Sequence, residues 1–276
     1  MTMRNKTVLF SIAALLTICS SLIITGCKKH DIPTPNQEKA GFAKSSDSYF
    51  ITNSASSVYK VPVGITAIAN ADRKLTFTVS SPSGAASGQQ YNLGSTTITI
   101  PAGKTVDSIA VKGLFSGYAS GRKDTLIFKL TGGDVNAMSG SDQFTLYMQK
   151  YCPVDLTQFA GTYNIQDYYG GAPDGGPYTV TITPGTATGT TGYILISGIW
   201  GFDSPPVRVN LDWTNPANFT TSIPTALWLV HPTYGQATIR PNGTGTFSSC
   251  DNKFTLNYET TVSAGSFGKE VSVITK

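Results

Sequence analysis

The stretch Leu75-Thr76-Phe77-Thr78-Val79 alternates apolar and polar side chains without a break. Alternation with a period of two is typical of a β-strand that is buried on one face. Turn clusters such as Ser81-Pro82-Ser83-Gly84 follow such stretches, and no stretch has the helical period, so residues 41–150 predict an antiparallel β-sandwich of six or seven strands. The same alternation recurs at Val61/Val63/Ile65, Ile98/Ile100, Ile109/Val111, Leu126/Phe128/Leu130 and Phe144/Leu146/Met148.

Residues 151–276 predict a second antiparallel β domain of seven to nine strands, joined by Gly, Pro and Asn turns. A closed meander would leave few strand edges exposed, but the sequence leaves a barrel and a sandwich both open. The fold class is therefore all-β. Alternation in this half occurs at Tyr178/Val180/Ile182, Tyr193/Leu195, Val207/Val209/Leu211/Trp213, Leu227/Leu229, Phe254/Leu256/Tyr258 and Val271/Val273.

Composition and charge agree with two globular β domains. The 276 residues are 40% hydrophobic and 13% charged, which excludes a disordered polyelectrolyte, since soluble proteins average about a quarter charged residues. Residues 28–151 hold 13 basic and 8 acidic residues, net +5, whereas residues 152–276 hold 5 and 8, net −3. The difference suggests two domains of different character, and the low overall charge of +4 gives no reason to expect a nucleic-acid partner.

The first 26 residues are typical of a cleaved signal peptide. Arg4 and Lys6 precede an apolar run over residues 8–24, and small residues follow it. Ser and Thr residues interrupt the run, which makes it a poor membrane span. An uncleaved signal anchor is the alternative.

The segment Ile24-Thr25-Gly26-Cys27 resembles the lipobox of bacterial lipoproteins. The resemblance implies that Cys27 is lipidated and becomes the first residue, so that acyl chains hold the protein on a membrane. Residues 27–40 are polar and contain Pro33 and Pro35, which is typical of a flexible tether. Lys28 after the cysteine resembles lipoproteins of the outer membrane, and the sequence does not decide between its periplasmic and cell-surface faces.

The first domain resembles the Calx-beta-like, immunoglobulin-type domains of Bacteroidetes surface lipoproteins. The resemblance rests on Leu75–Val79, Ser87–Tyr91, Thr97–Gly103 and Asp124–Leu130. Calcium-binding members carry acidic residues before the tyrosine, where this chain has Gln89 and Gln90, so we expect no metal. The second domain resembles small lipocalin-like barrels at Phe159–Tyr163, Tyr234-Gly235 and Phe267-Gly268.

Cys152 and Cys250 are the two cysteines that follow Cys27 in a chain with an export signal. A disulfide between them is the natural prediction. Two free thiols with a catalytic or metal-binding role are the alternative, but no histidine cluster accompanies them.

We predict no catalytic residue and no cofactor. His30 lies in the tether, His231 is predicted to be a solvated residue at a strand end, and no Gly-x-Ser-x-Gly turn presents a nucleophile. The second domain's carboxylates could in principle form a glycosidase pair, but most of them are predicted to lie in turns or at strand edges. They are Asp155, Asp167, Asp174, Asp203, Asp212, Asp251, Glu259 and Glu270.

Aromatic residues in the loops of the second domain are the best candidates for ligand contacts, because flat rings beside polar groups suit a sugar. All three tryptophans lie in this domain, and the alternation of Val207, Val209 and Leu211 puts Trp213 in the core. The alternative is that loop aromatics cover the open end of the β core. The candidates are Tyr168, Tyr169, Asp174, Trp200, Phe202, Asp203 and Tyr234.

The leading functional prediction is a non-enzymatic, lipid-anchored binding or accessory protein of the cell envelope, with a polysaccharide or an envelope protein as its partner. A surface hydrolase that uses second-domain carboxylates is one alternative. A purely structural or adhesive protein is another.

Overall fold

A computed structural model describes residues 37–119 and 121–276. Residues Lys39–Lys276 form one compact unit, built almost entirely of β-strands with three short 3-10 turns. Across the described residues, no helix has the length and apolar character needed to cross a membrane. The predicted signal peptide and Cys27 lie outside the described residues.

The first half folds into ten strands in two five-stranded sheets. The first sheet has the order β5-β7-β3-β1-β9 and the second the order β2-β10-β8-β4-β6. The number exceeds the predicted six or seven because several short strands carry too few residues to show alternation. The strands are β1 (Lys39–Phe42), β2 (Ser46–Ile51), β3 (Val58–Ile65), β4 (Arg73–Ser80), β5 (Tyr91–Leu93), β6 (Thr97–Ile100), β7 (Val106–Gly113), β8 (Lys123–Gly133), β9 (Asn136–Ala137) and β10 (Gln143–Lys150).

Two details of this half differ from the sequence prediction. Each sheet contains one parallel pair, β1 with β9 and β2 with β10. The consecutive strands β1 and β2 lie in different sheets, and each pairs with a strand from much later in the chain. The long intervening chain makes such parallel pairing possible. β1 also begins at Lys39, so residues 39–40, assigned above to the tether, are strand residues, and Ala40 is buried in the core.

The second half folds into ten further strands, one more than the predicted maximum, since β15 and β18 are very short. Eight of them form a closed ring, because β19 and β20 pair with each other as well as with β18 and β11. The hairpin of β16 and β17 extends the sheet from β19. The strands are β11 (Gly161–Tyr169), β12 (Ala172–Thr188), β13 (Thr191–Ser197), β14 (Val207–Asp212), β15 (Thr220–Ser222), β16 (Ala226–His231), β17 (Gly235–Pro241), β18 (Gly245–Ser248), β19 (Lys253–Val262) and β20 (Gly265–Thr275).

Each half has its own hydrophobic core. The second core is centred on Phe254, which is fully buried and whose ring centroid lies 5.0 Å from that of Phe159. Trp213, predicted to be a core residue, lies just after β14 and is partly buried against this core. Asp167, Thr260, Glu270 and Ser272 are buried polar residues on the paired strands β11, β19 and β20, and we call this part the polar end of the ring.

The predicted disulfide is confirmed. Cys152 and Cys250 are bonded, with their Cα atoms 5.2 Å apart and 98 positions apart in sequence. The bond joins the segment before β11 to the turn between β18 and β19. Beside it, the Ser249 hydroxyl donates a hydrogen bond of 2.7 Å to the Cys152 carbonyl. The linkage therefore fastens the first and late strands of the second half.

Candidate functional site

Two neighbouring strands, β11 and β20, bring carboxylate side chains into the polar end of the ring. On β11, inward-facing positions run from Tyr163 through Ile165 to Asp167, and on β20 they run from Ile274 back to Glu270. Asp167 lies opposite Ser272 across the pair, and Tyr169 lies opposite Glu270. Asp167 and Glu270 keep 5% and 3% of their surface exposed, so both carboxylates are buried.

Hydrogen bonds hold the carboxylate of Asp167 in place. The Tyr178 hydroxyl donates to its Oδ2 at 2.6 Å, and the Ser272 hydroxyl donates to its Oδ1 at 2.5 Å. The Tyr258 hydroxyl oxygen lies 3.1 Å from that of Ser272. Burial, followed by the bond to Asp167, raises the pKa of Tyr178, so this hydroxyl remains a donor at neutral pH.

Trp200 occupies a strained backbone conformation at the rim of the site. It has φ 61° and ψ 14°, in the left-handed region that a bulky residue rarely adopts. Two hydrogen bonds hold it there: its backbone N–H donates to the Tyr178 hydroxyl, and its indole Nε1–H donates to Glu270 Oε2, both at 2.7 Å. Backbone strain of this kind concentrates at functional sites, where the surrounding structure maintains it.

The carboxyl group of Glu270 has an unusual proton affinity. Its pKa is raised from 4.5 to about 7, chiefly by burial; the indole donor of Trp200 opposes the shift, and the nearby charges of Asp167 and Asp174 contribute to it. A buried carboxyl without a neighbouring cation behaves in this way. Glu270 is therefore part protonated and part ionised near neutral pH.

Above these carboxylates lies an open cavity of about 440 Å³. Its walls are mainly aromatic, and Asp174 joins the two buried acids at its edge. Tyr169 is 54% exposed at the mouth and packs one side of its ring against Gly268, where a Cβ atom would come within 2.4 Å of it. The aromatic side chains that line the cavity are Tyr169, Tyr178, Trp200, Phe202, His231 and Phe267.

The aromatic rings support one another. The centroid of the Trp200 ring lies 4.9 Å from that of Trp228 and 5.6 Å from that of Phe267. His231 packs against Phe267 with centroids 5.4 Å apart, and its Nδ1 accepts hydrogen bonds from the backbone of Thr233 and Tyr234. Ring packing of this kind fixes the shape of the wall.

The structure gathers some of the sequence candidates and separates others. Tyr169, Asp174, Trp200 and Phe202 line the cavity. Tyr234 does not line it, but its ring packs on His231 and Phe267 behind the wall. Tyr168 lies on the opposite face of β11 from Tyr169 and does not line the cavity. Asp203 is in the loop after Phe202 and does not line it either.

Seven lining residues were not proposed as ligand contacts: Asp167, Gly175, Gly176, Tyr178, His231, Phe267 and Glu270. Most of the second domain's carboxylates are predicted to lie in turns or at strand edges, but Asp167 and Glu270 are buried within strands. His231 ends β16, a strand end as predicted, but its ring is half-buried in the wall of the cavity. An acid at an inward position of an apolar strand, as in Tyr163-Asn164-Ile165-Gln166-Asp167, is the signal that could have found the first.

Two other concavities are less suited to bind a ligand. A groove of about 550 Å³ on the outer surface is rich in threonine, but its aromatic residue, Tyr193, is covered. The Arg208 guanidinium lies 3.9 Å from the Tyr193 ring centroid, and Gly185 lies under the ring. A smaller cavity of about 170 Å³ lies beside the disulfide. Among the described residues, no group of three or more His, Cys, Asp or Glu is arranged to hold a metal ion.

No protein family model and no curated protein sequence matches the chain. Its fold is similar to that of several solved structures at low identity. A candidate carbohydrate-binding protein from Bacteroides ovatus is 12% identical with a TM-score of 0.36, over 84% of this chain and 69% of that one. A multidomain protein including DUF1735 from Bacteroides ovatus is 10% identical with a TM-score of 0.33, over 86% and 92%. The CBD12 fragment of CALX1.2 is 9% identical with a TM-score of 0.37, over 71% and 82%.

Proposed function

We propose that this protein is a non-enzymatic, lipid-anchored binding protein of the cell envelope that takes carbohydrate in the cavity above Asp167 and Glu270. One observation carries the proposal: aromatic side chains and buried carboxylates line the same open cavity of about 440 Å³. That volume is within the range of about 300–1,000 Å³ common for ligand pockets. A sugar ring presents apolar C–H faces that stack on aromatic rings and hydroxyl groups that donate to carboxylates.

The test is a binding screen of the purified protein against a panel of polysaccharides and their oligosaccharides by isothermal titration calorimetry. We expect saturable binding to at least one of them. Tyr169→Ala and Phe202→Ala should each weaken it about 5- to 20-fold, since an aromatic contact contributes about 1 to 2 kcal/mol. Tyr147→Ala is the matched control, because Tyr147 is an exposed tyrosine on β10, in the other half.

The screen can reject the proposal. Absence of saturable binding across the panel would contradict it, as would binding that the Tyr147→Ala variant loses and the two cavity variants retain.

Glycoside hydrolysis is a second candidate, favoured by one observation. Two buried carboxyl groups lie in the same cavity, and the raised pKa of Glu270, about 7, suits a general acid. The same panel separates the two functions if reducing ends are measured after incubation. Release of reducing ends that Glu270→Gln abolishes would favour the hydrolase, whereas binding without turnover supports the binding protein.

The anchor belongs to the same proposal and rests on the lipobox resemblance at residues 24–27. Cys27→Ser is expected to move the protein from the membrane fraction to the soluble fraction and to remove the acyl mass from the mature N-terminus, because two or more acyl chains are needed for stable membrane attachment. Thr25→Ala is the control, since it keeps a small residue at that position. Unchanged partitioning of Cys27→Ser would contradict the anchor.

A further inference from the structure

The side chains of Asp, Glu, Lys and Arg type that line the proposed carbohydrate cavity are all acidic. Asp167, Asp174 and Glu270 line it, and among the described residues no lysine or arginine does. The ion pairs found in the described part of the chain involve other acids, such as Asp47, Asp124 and Glu259. Burying carboxylates without a cationic partner is costly, so a cation supplied from outside would be favourable here.

The walls of the cavity are also suited to a cation. Trp200, Phe202 and Phe267 line the same cavity as the carboxylates. An ammonium group near the face of such a ring is attracted by its electron density, most strongly at tryptophan and when water is excluded. Aromatic rings and carboxylates would therefore act on a cation together, whereas an anionic sugar would be repelled by three acids.

A buried hydroxyl nearby lacks a partner. Thr260 is fully buried on the same face of β19 as Tyr258, which pairs with Glu270 across the β19–β20 ladder. Its Oγ1 has no hydrogen-bond partner within the described residues. Thr260 itself pairs with Gly268, over which the Tyr169 ring lies. The polar end of the ring thus has unused hydrogen-bonding capacity in addition to its unpaired charge.

We infer that the cavity selects carbohydrate units that carry a free amino group, with the ammonium placed between Glu270, Asp167 and the Trp200 ring. The inference rests on the proposed carbohydrate-binding function and names its ligand class. A neutral sugar would leave the carboxylates without a counter-charge. An N-acetylated amino sugar would do the same and would add bulk at the position of the ammonium.

Three β-1,4-linked tetrasaccharides of equal length test this inference, because they differ only in the substituent at carbon 2: glucosamine, N-acetylglucosamine and glucose. We expect calorimetry at pH 7 to show that the glucosamine tetramer binds at least about tenfold more tightly than the other two. Choline is the fourth probe, since it carries a cation without a sugar ring, and it should bind at least about tenfold more weakly than the glucosamine tetramer.

Glu270→Gln should reduce the preference for the glucosamine tetramer over the glucose tetramer by about tenfold, since glutamine keeps an oxygen for the Trp200 indole but carries no charge. Asp107→Asn is the control, because Asp107 is an exposed carboxylate on β7 and should leave the ratio unchanged.

Each other outcome counts against the inference in a distinguishable way. Equal or tighter binding of the neutral tetramers would overturn amine selection and leave carbohydrate binding standing. Binding of choline as tight as that of the glucosamine tetramer would overturn the sugar component. A preference that Glu270→Gln leaves unchanged would overturn the assigned position of the ammonium. If no tetramer binds and the wider panel also fails, the proposed function itself falls.

Discussion

Replacing both Cys152 and Cys250 with serine is expected to lower the free energy of unfolding by about 4 to 5 kcal/mol, the largest effect that we expect from any local change. The physical reason is the length of the loop that the bond closes, since the cysteines are 98 positions apart. In the chain-entropy description, the bond removes conformations from the unfolded chain, and it removes more of them when the loop is long.

Urea unfolding of the double variant beside the wild-type protein measures this difference. The single hydroxyl variant Ser249→Ala is a useful comparison, because it loses the bond to the Cys152 carbonyl and should cost only about 1 kcal/mol. A loss below about 1 kcal/mol in the double variant would show that the disulfide contributes little to holding β11 near the late strands.

The second large effect concerns Glu270 and pH. Its pKa is about 7 in the folded chain and 4.5 in the reference state, so between these values the folded chain binds more protons than the unfolded chain. The stability associated with this group is therefore fully present below pH 4.5 and is lost as the pH rises through 7. A shift of this size corresponds to about 3 kcal/mol.

Glu270→Gln removes the titrating group and should remove this pH dependence. The unfolding free energy of the variant minus that of the wild type is expected to rise by about 3 kcal/mol between pH 4.5 and pH 8. Urea unfolding at several pH values checks it, with Asp107→Asn as a control whose difference from wild type stays flat. A Glu270→Gln difference that also stays flat would mean that the carboxyl ionises normally.

The fold class and the disulfide could be predicted from the sequence because both depend on strong local signals. Alternation between residues 41 and 150 marks the inward side chains correctly, as at Leu75 and Phe77, which are buried. Only two cysteines follow Cys27, so their pairing required no knowledge of the fold. Short strands such as β9 and the parallel pairs depend on contacts between distant segments, and local alternation contains no information about those.

The site was harder to predict because two strands of the second half, β13 and β20, carry apolar residues on both faces. On β13 the predicted inward residues were Tyr193 and Leu195, but Ile194 and Ile196 are the buried ones. On β20 the prediction followed Val271 and Val273, whereas Glu270, Ser272 and Ile274 face inward. Since a shift of one residue exchanges the two faces of a strand, alternation counted from Val271 and Val273 puts Glu270 on the outer face, whereas Glu270 is buried.

A similar error affects β16, where the pattern Leu227/Leu229 predicts two inward residues. An irregularity in the pairing with β17 between Leu227 and Val230 changes the register, so Trp228 and Leu229 are both buried and Leu227 is 73% exposed. Such irregularities are set by tertiary packing rather than by local sequence. Trp200 belongs to the same class, because nothing in its neighbours indicates which backbone conformation the Tyr178 and Glu270 bonds impose.

The central claim is that the cavity above Glu270 binds carbohydrate, and the three tryptophan indoles report on it directly. In a ¹H–¹⁵N spectrum, the Nε1–H groups of Trp200, Trp228 and Trp213 give separate signals that Trp→Phe variants assign. Titration with the tightest-binding oligosaccharide of the panel should shift the Trp200 signal and, through ring contact, that of Trp228, while Trp213, which packs against Phe247, stays unchanged. A saturating titration that leaves Trp200 unshifted, or that shifts Trp213 alone, would contradict the account.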